Sequence, residues 1–259
     1  MTWTDSEMMT VAAARALENH DVCFVGIGLP SAACNLARLT HAPQIVLIYE
    51  SGTLETQPEV LPLSIGDGEL CETALTTVPV VEVFRYWLQG GRITVGFLGG
   101  AQVDRFGNLN TTVIGTYERP KVRLPGCGGA PEIATGCGQI FIVMRQTPRT
   151  FVKELEFMTS LGHGKNGKAR KELGIPTKGP TLLVTNLCVL SPHPETNEFV
   201  ITSMHPGVTR EQIRENTGWD IQFADSLKET PAPSVEELAT LRDLNARTAR
   251  AHGSVVAAE

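Results

Sequence analysis

Val22-Cys23-Phe24-Val25-Gly26-Ile27-Gly28-Leu29-Pro30 and, further on, Ile45-Val46-Leu47-Ile48-Tyr49-Glu50-Ser51-Gly52 decide the fold. Each opens with an unbroken apolar run, too short for a helix and lacking the polar alternation of a strand that faces water on one side. Such runs belong to strands covered on both faces, as in a parallel sheet. From Pro30 to about Thr40 the chain reads as a helix, and Pro30 suits its first turn, where a missing N–H removes no intrahelical bond. Upstream, Thr4-Asp5-Ser6-Glu7 is a capping box, and Met9, Ala12, Ala13, Ala16 and Leu17 fall on one helical face until Asn19-His20-Asp21 ends it. The opening is therefore helix, strand, helix, strand.

Downstream, Pro79 starts a helix through Leu88, closed by Gly90-Gly91, and residues 93–98, 109–114 and 140–144 read as further strands. The alternation predicts an α/β fold with an open, mainly parallel sheet and helices on both faces. From about Phe151 the texture changes to a C-terminal α+β extension. Residues 162–168 read as a mobile surface loop, and residues 181–190 and 198–204 as two strands around a turn at 192–197. Thr209-x-x-Gln212 and Ser234-x-x-Glu237 are two more capping boxes, each opening a helix. The Pro-rich stretch 228–234 reads as a surface crossing. The last helix carries Leu238, Leu241 and Leu244 and frays from Ala251 to Glu259. No internal repeat appears, and one domain is expected over residues 1–259, with a core over about 5–218 and a C-terminal helical segment over about 234–251.

Composition narrows the function classes. At 259 residues, 42% hydrophobic and 19% charged, the chain can bury a sizeable core. Its net charge of −6 argues against a nucleic-acid or acidic-membrane partner. The opening MTWTDSEMMT lacks a basic region followed by an apolar core, and no apolar run is long enough to span a bilayer. A soluble, cytoplasmic protein is expected. The six cysteines, at 23, 34, 71, 127, 137 and 188, never form C-x-x-C, and the six histidines never form H-x-x-x-H. Reduced, mostly buried thiols and no metal site are expected.

Ligands in an open α/β sheet collect outside the carboxyl ends of strands. Gly26-Ile27-Gly28 lies at one such end. It lacks the third glycine of a dinucleotide fingerprint, so a plain tight turn is the competing reading. Glu50 lies at another. A carboxylate directly after five apolar residues is unusual, although a turn or cap residue is the ordinary alternative. Gly52 would allow a tight turn presenting the Glu50 side chain at the sheet edge, by analogy with a nucleophile elbow. In Pro125-Gly126-Cys127-Gly128-Gly129-Ala130, backbone N–H groups could approach a ligand oxygen closely. Asn108 and Asn110 alternate out of the turn Asp104-Arg105-Phe106-Gly107, and an Asn amide can donate to an oxyanion.

Taken together and in order, these stretches resemble a known family. Gly26-Ile27-Gly28-Leu29-Pro30, Glu50-Ser51-Gly52, the run from Gly99 to Asn110, Gly126-Cys127-Gly128-Gly129-Ala130 and His205-Pro206-Gly207-Val208-Thr209 are similar to β subunits of class I CoA-transferases, in the glutaconate CoA-transferase branch. Leu61 to Glu69, Phe84-Arg85-Tyr86-Trp87-Leu88-Gln89-Gly90-Gly91 and Arg210 to Trp219 are similar to the members that act on 3-oxoadipate.

The resemblance implies CoA transfer from an acyl-CoA, such as succinyl-CoA, to a 3-oxo dicarboxylic acid by a ping-pong route. It implies no metal and no bound cofactor beyond the CoA thioester substrate. It makes Glu50 the covalent nucleophile and gives oxyanion or CoA-binding roles to Asn110, Gly128, Gly129, Gly26 and Gly28. It also implies a homologous α subunit, in an α2β2 assembly, because this chain carries one of the two halves that flank the family's site. Arg85, Arg105, Arg119 and Arg123 are candidates for the acceptor's second carboxylate. The competing functions are a glutaconate-type transferase component, a CoA-thioester hydrolase or decarboxylase on the same fold, and a non-enzymatic partner.

Overall fold

In the computed structural model, which describes residues 2–253, the chain divides into two compact units, Met1–Phe97 with Ala232–Glu259, and Leu98–Pro231. In the first, α1 (Asp5–Ala14) starts on the expected capping box: the Thr4 hydroxyl accepts from the Glu7 N–H at 3.2 Å, and Glu7 accepts from the Thr4 N–H at 2.8 Å. Met8 through Ala14 are all buried, so α1 is covered on nearly every side. β1 (Val22–Val25), α2 (Leu29–Leu39) and β2 (Val46–Tyr49) fall where the two apolar runs predict them. β1 and β2 are parallel, with Val22 opposite Val46 and Val25 opposite Tyr49.

The chain then reverses. β3 (Thr53–Leu54) pairs antiparallel with β2, α3 (Gly68–Glu72) follows, and β4 (Thr76–Thr77) pairs antiparallel with β3. Next come α4 (Val80–Glu82) and, continuous with it, a π-helix over Val83–Leu88, where an ordinary helix was expected. The Gln89 N–H reaches the Phe84 carbonyl, five residues back, at 2.9 Å. An α-helix would point residues five apart to different faces. The widened turn lets both Val83 and Leu88 be fully buried. Phe84 meets Phe24 of β1 edge-on, with centroids 5.9 Å apart. β5 (Val95–Leu98) is parallel to β1, giving the order β5-β1-β2-β3-β4.

In the second unit, β6 (Gln102–Val103) pairs antiparallel with β7 (Leu109–Asn110), and β8 (Val113–Gly115) with β9 (Pro120–Arg123). The single strand expected over 109–114 is broken because Asn110 Oδ1 accepts from the N–H groups of Thr112 and Val113, folding the backbone into a turn. Then follow α5 (Ala130–Gly136), β10 (Gln139–Val143), α6 (Ala169–Glu172), β11 (Pro180–Val184), β12 (Cys188–Pro192), β13 (Phe199–Met204), α7 (Arg210–Glu215) and β14 (Phe223–Glu229). The order is β14-β13-β12-β11-β10. β10 is parallel to β11 and β13 to β14, while β12 runs antiparallel to both neighbours.

Three expectations change here. The strand over 181–190 is two strands, because the Thr185 hydroxyl accepts from the N–H groups of Leu187 and Cys188 and reverses the chain. β14 takes up the first residues of the expected surface crossing at 228–234, as far as Glu229. The loop over 162–168 is not wholly a surface loop: Gly162, His163 and Gly164 are buried. Asn108 Oδ1 accepts from the N–H groups of Gly162 and Gly164 at 2.8 and 3.1 Å, and the His163 N–H donates to the Phe106 carbonyl at 2.9 Å.

α8 (Val235–His252) returns to the first unit and packs with α1 and α2. Arg15 grips Glu237 at 2.6 Å, and Arg242 bonds Glu7 at the same distance. The capping boxes at Thr209/Gln212 and Ser234/Glu237 both form. The expected fraying beyond Gly253 lies outside the described residues. Among the described residues, no helix is long and apolar enough to cross a membrane. None of the six cysteines forms a disulfide; Cys71 and Cys127 are exposed and the others buried.

Candidate active site

Two of the nominated loops emerge side by side. Val25 and Tyr49 are register partners on adjacent parallel strands, so Gly26, which follows one, and Glu50, which follows the other, leave the sheet at the same carboxyl edge. Gly28, at φ +79°, is the N-cap of α2, and its carbonyl accepts the Ala32 N–H at 3.0 Å. A Cβ at Gly28 would meet nothing within 4 Å, so that position needs its backbone conformation rather than space.

Glu50 and Ser51 are the central residues of a β-turn closed by the Gly52 N–H on the Tyr49 carbonyl at 3.0 Å. The turn leads into β3, so it is a hairpin and not the strand-to-helix elbow of the analogy. Gly52 sits at φ +107°. Its carbonyl accepts the Val78 N–H at 2.9 Å, and a Cβ there would collide with the Val78 carbonyl. Glu50 is half-buried.

Behind the turn, Tyr49 is fully buried and shares a 2.6 Å hydrogen bond with the Ser31 hydroxyl. Burial pushes the Tyr49 phenol well above its ordinary value. The Asn35 amide donates to the Ser31 carbonyl at 2.9 Å, and Arg38 donates to Asn35 Oδ1 and to the Pro58 carbonyl at 3.1 and 2.8 Å. Burial lowers the Arg38 pKa. The base of the turn is thus welded to α2. Nothing in the sequence singles out Ser51 and Thr53. Among the described residues both hydroxyl oxygens are buried without a hydrogen-bond partner, a costly state that only three-dimensional placement reveals.

The other nominated residues belong to the second unit. Asn110 is fully buried, and its amide donates to Gln102 Oε1 and to the Val113 carbonyl, each at 2.8 Å. Both amide hydrogens are therefore engaged in bracing the hairpin end, and Asn110 has none left over for an oxyanion in this arrangement. Gly128 and Gly129 differ. Among the described residues their N–H groups meet no acceptor, with Gly128 exposed at φ +47° and Gly129 half-buried. Their loop is tied to the hairpin by Thr111, whose hydroxyl donates to the Gly126 carbonyl at 2.8 Å and whose carbonyl accepts the Gly126 N–H at 2.9 Å. Asn110 and the glycine loop are thereby neighbours. This unit also has a cavity of about 750 Å³ lined by Asp104, Arg105, Phe106, Lys153 and Lys165 among others, but none of the nominated glycines, nor Asn110, lines it. Among the described residues, no three His, Cys, Asp or Glu side chains gather as a metal site would require.

Residues 6–216 match the family described as Coenzyme A transferase. The chain is 65% identical over 251 residues to a 3-oxoadipate CoA-transferase subunit of Pseudomonas knackmussii, covering 97% of this chain and 96% of that one. It is 35% identical to a glutaconate CoA-transferase subunit of Acidaminococcus fermentans, covering 91% of each. The crystal structure of glutaconate coenzyme A-transferase from Acidaminococcus fermentans superimposes with a TM-score of 0.87 at 32% identity, over 93% of this chain and 94% of that one. A likeness of that extent, spanning the turn, the glycine loop and both units, makes this chain a member of the coenzyme A transferase family.

Proposed function

We propose that the chain is the β subunit of a transferase that moves CoA from succinyl-CoA to a 3-oxo dicarboxylic acid, 3-oxoadipate, acting with a homologous α subunit as α2β2. The observation that supports it most is the placement of Glu50: a carboxylate on a rigid turn at the edge of a parallel strand pair, next to the Gly26–Gly28 turn, in a chain 65% identical to a 3-oxoadipate CoA-transferase subunit. The α partner rests on that relative's own standing as one subunit of its enzyme.

Glu50 attacks the thioester carbonyl of the donor and expels CoA thiolate, leaving a mixed anhydride. The thiolate adds to the Glu50 carbonyl and releases the donor acid as its carboxylate, leaving a glutamyl-CoA thioester. The acceptor carboxylate then attacks that thioester carbonyl, expelling the thiolate again, and the thiolate takes the acceptor acyl group and frees Glu50. The cycle consumes no proton or electron, so it balances without a redox cofactor. It does require water to be kept out, since either intermediate hydrolyses. The unpaired N–H groups of Gly128 and Gly129 suit the role of oxyanion donors, and one such donor is worth about 3 kcal/mol. Asn110 holds their loop through its neighbour Thr111. Gly26 and Gly28 leave backbone room for the CoA thioester.

The test is to incubate the complex with succinyl-CoA alone, add borohydride and map the peptides. The Glu50 carboxyl should be converted to a primary alcohol, and this product should be absent in Glu50→Ala, whose fold and assembly should be unchanged. An unmodified Glu50, or a Glu50→Ala variant that still transfers CoA, refutes the assignment.

A further inference from the structure

A dicarboxylate acceptor spends one carboxylate at Glu50 and keeps the other ionised. In a site closed to water, that second charge needs a cation or several donors. The structure separates the four arginines that the sequence leaves equal. Arg105 pairs with Glu198 at 3.7 Å. Arg123 lies over the Tyr117 ring and donates to the Tyr117 carbonyl at 3.1 Å. Arg119 sits in the exposed hairpin of the second unit.

In the unit that carries Glu50, Arg15, Arg38, Arg92, Arg242 and Arg247 are each held by protein oxygens. Arg85 is not. It is exposed, makes no hydrogen bond or ion pair among the described residues, and rests only beside the Tyr86 ring, 5.9 Å from its centroid. Arg250 is exposed as well, but it sits in the last turn of α8 and nothing ties it to the turn at Glu50.

Arg85 is tied to that turn. Val78 bonds Gly52 at 2.9 Å, Pro79 caps α4, and α4 runs straight into the π-helix. From Val78 to Arg85 the helical rise is at most about 10 Å at ~1.5 Å per residue. The π turn directs Val83 and Leu88 into the core and Phe84 onto Phe24, leaving Arg85 and Tyr86 outward. Single π turns inside helices recur at functional sites, where they re-aim side chains. A guanidinium also fits a carboxylate with two parallel N–H donors.

We propose that Arg85 is the specificity-determining cation of this chain, held by the π-helix at a fixed offset from Glu50 to bind the distal carboxylate of the acceptor acid. The inference rests on the Glu50 reading above, and the experiment keeps the two apart. In the complex of this chain with its partner, kcat/KM is measured for a 3-oxo dicarboxylate and for the 3-oxo monocarboxylate of equal length. Arg85→Gln should lower the ratio of diacid to monoacid by about 10- to 100-fold, mostly through KM. Arg85→Lys should recover part of it, keeping the charge but losing the fork. The endpoint glutamyl-CoA adduct from saturating succinyl-CoA is scored in the same preparations. An adduct in both proteins with an unchanged ratio, or an equal loss for both acceptors, overturns the Arg85 assignment alone. No adduct in the parent overturns the Glu50 reading itself.

Discussion

Replacing Gly52 by alanine tests whether the backbone of the turn, and not only its carboxylate, performs the function. Two costs arise. The residue sits at φ +107°, outside the comfortable range of an L side chain. That strain is worth about 1–2 kcal/mol. The new Cβ would also stand 3.2 Å from the Val78 carbonyl carbon and closer still to its oxygen. Relief requires the strands to part by about 1 Å, which breaks the Val78-to-Gly52 hydrogen bond, another ~0.5–1.5 kcal/mol. Gly52→Ala should therefore lose about 1.5–3.5 kcal/mol. Gly28→Ala is the control: φ is +79°, but a Cβ meets nothing within 4 Å, so only the conformational cost of about 1–2 kcal/mol applies. Denaturant midpoints of the two variants separate the steric from the conformational part. A displacement of about 1 Å at a nucleophile costs on the order of 100-fold in rate. Transfer by Gly52→Ala should fall by that factor at a temperature where it remains folded. Stability equal to that of Gly28→Ala would show the collision is relieved without cost. Parental transfer by a destabilised Gly52→Ala would refute the claim that this turn positions Glu50.

Other measurements probe the chain elsewhere. Glu50→Asp withdraws the carboxylate by one methylene and leaves room for water, so transfer should drop while slow hydrolysis of the acyl-CoA appears as thiol release without acceptor; transfer at the parental rate would contradict the geometry. His163 is buried, with its Nε2 on the Pro180 carbonyl at 2.8 Å, and desolvation lowers its pKa below the ordinary 6.5. The unfolded chain then binds the proton more readily than the folded one, so this group favours the fold above pH ~6.5 and the benefit is lost as pH falls toward its folded pKa. The denaturation midpoint should decline on acidification from about pH 7 to about pH 5, and His163→Gln should flatten that slope; an unchanged slope would place the proton elsewhere.

The parts of the fold that the sequence announces are those where local rules act alone. Unbroken apolar runs give β1 and β2 with their parallel pairing, and three hydroxyl–carboxamide or hydroxyl–carboxylate spacings give the starts of α1, α7 and α8. Expectations slip where a side chain competes with the backbone ladder. Asn110 and Thr185 each sit inside a stretch that reads as one strand, yet each accepts two backbone N–H groups and breaks that strand in two. The π-helix is hidden for another reason. Its register answers to the burial of Val83 and Leu88 and to the contact of Phe84 with Phe24 of β1, demands of packing and not of local propensity.

The same division runs through the site. Glu50 stands out because its anomaly is local, a carboxylate at the end of an apolar strand. What makes it usable is not local. The turn is fixed by Val78, more than twenty residues on, and by the Tyr49–Ser31–Asn35–Arg38 chain of bonds reaching into α2. The proposed nucleophile, whose carboxyl group takes part in every step of the cycle, needs such fixation. In two of the four steps its own carbonyl carbon must meet a thiolate or a carboxylate along a defined approach, and a flexible Glu would lose the rate advantage of orientation at each. The donors follow the opposite logic. Asn110 has the right chemistry and is consumed by structure, whereas Gly128 and Gly129 have no side chain to advertise and, among the described residues, keep their N–H groups free. On the proposed roles, side-chain identity points to Glu50, whereas the glycine N–H groups come to notice only because the fold leaves them unpaired among the described residues.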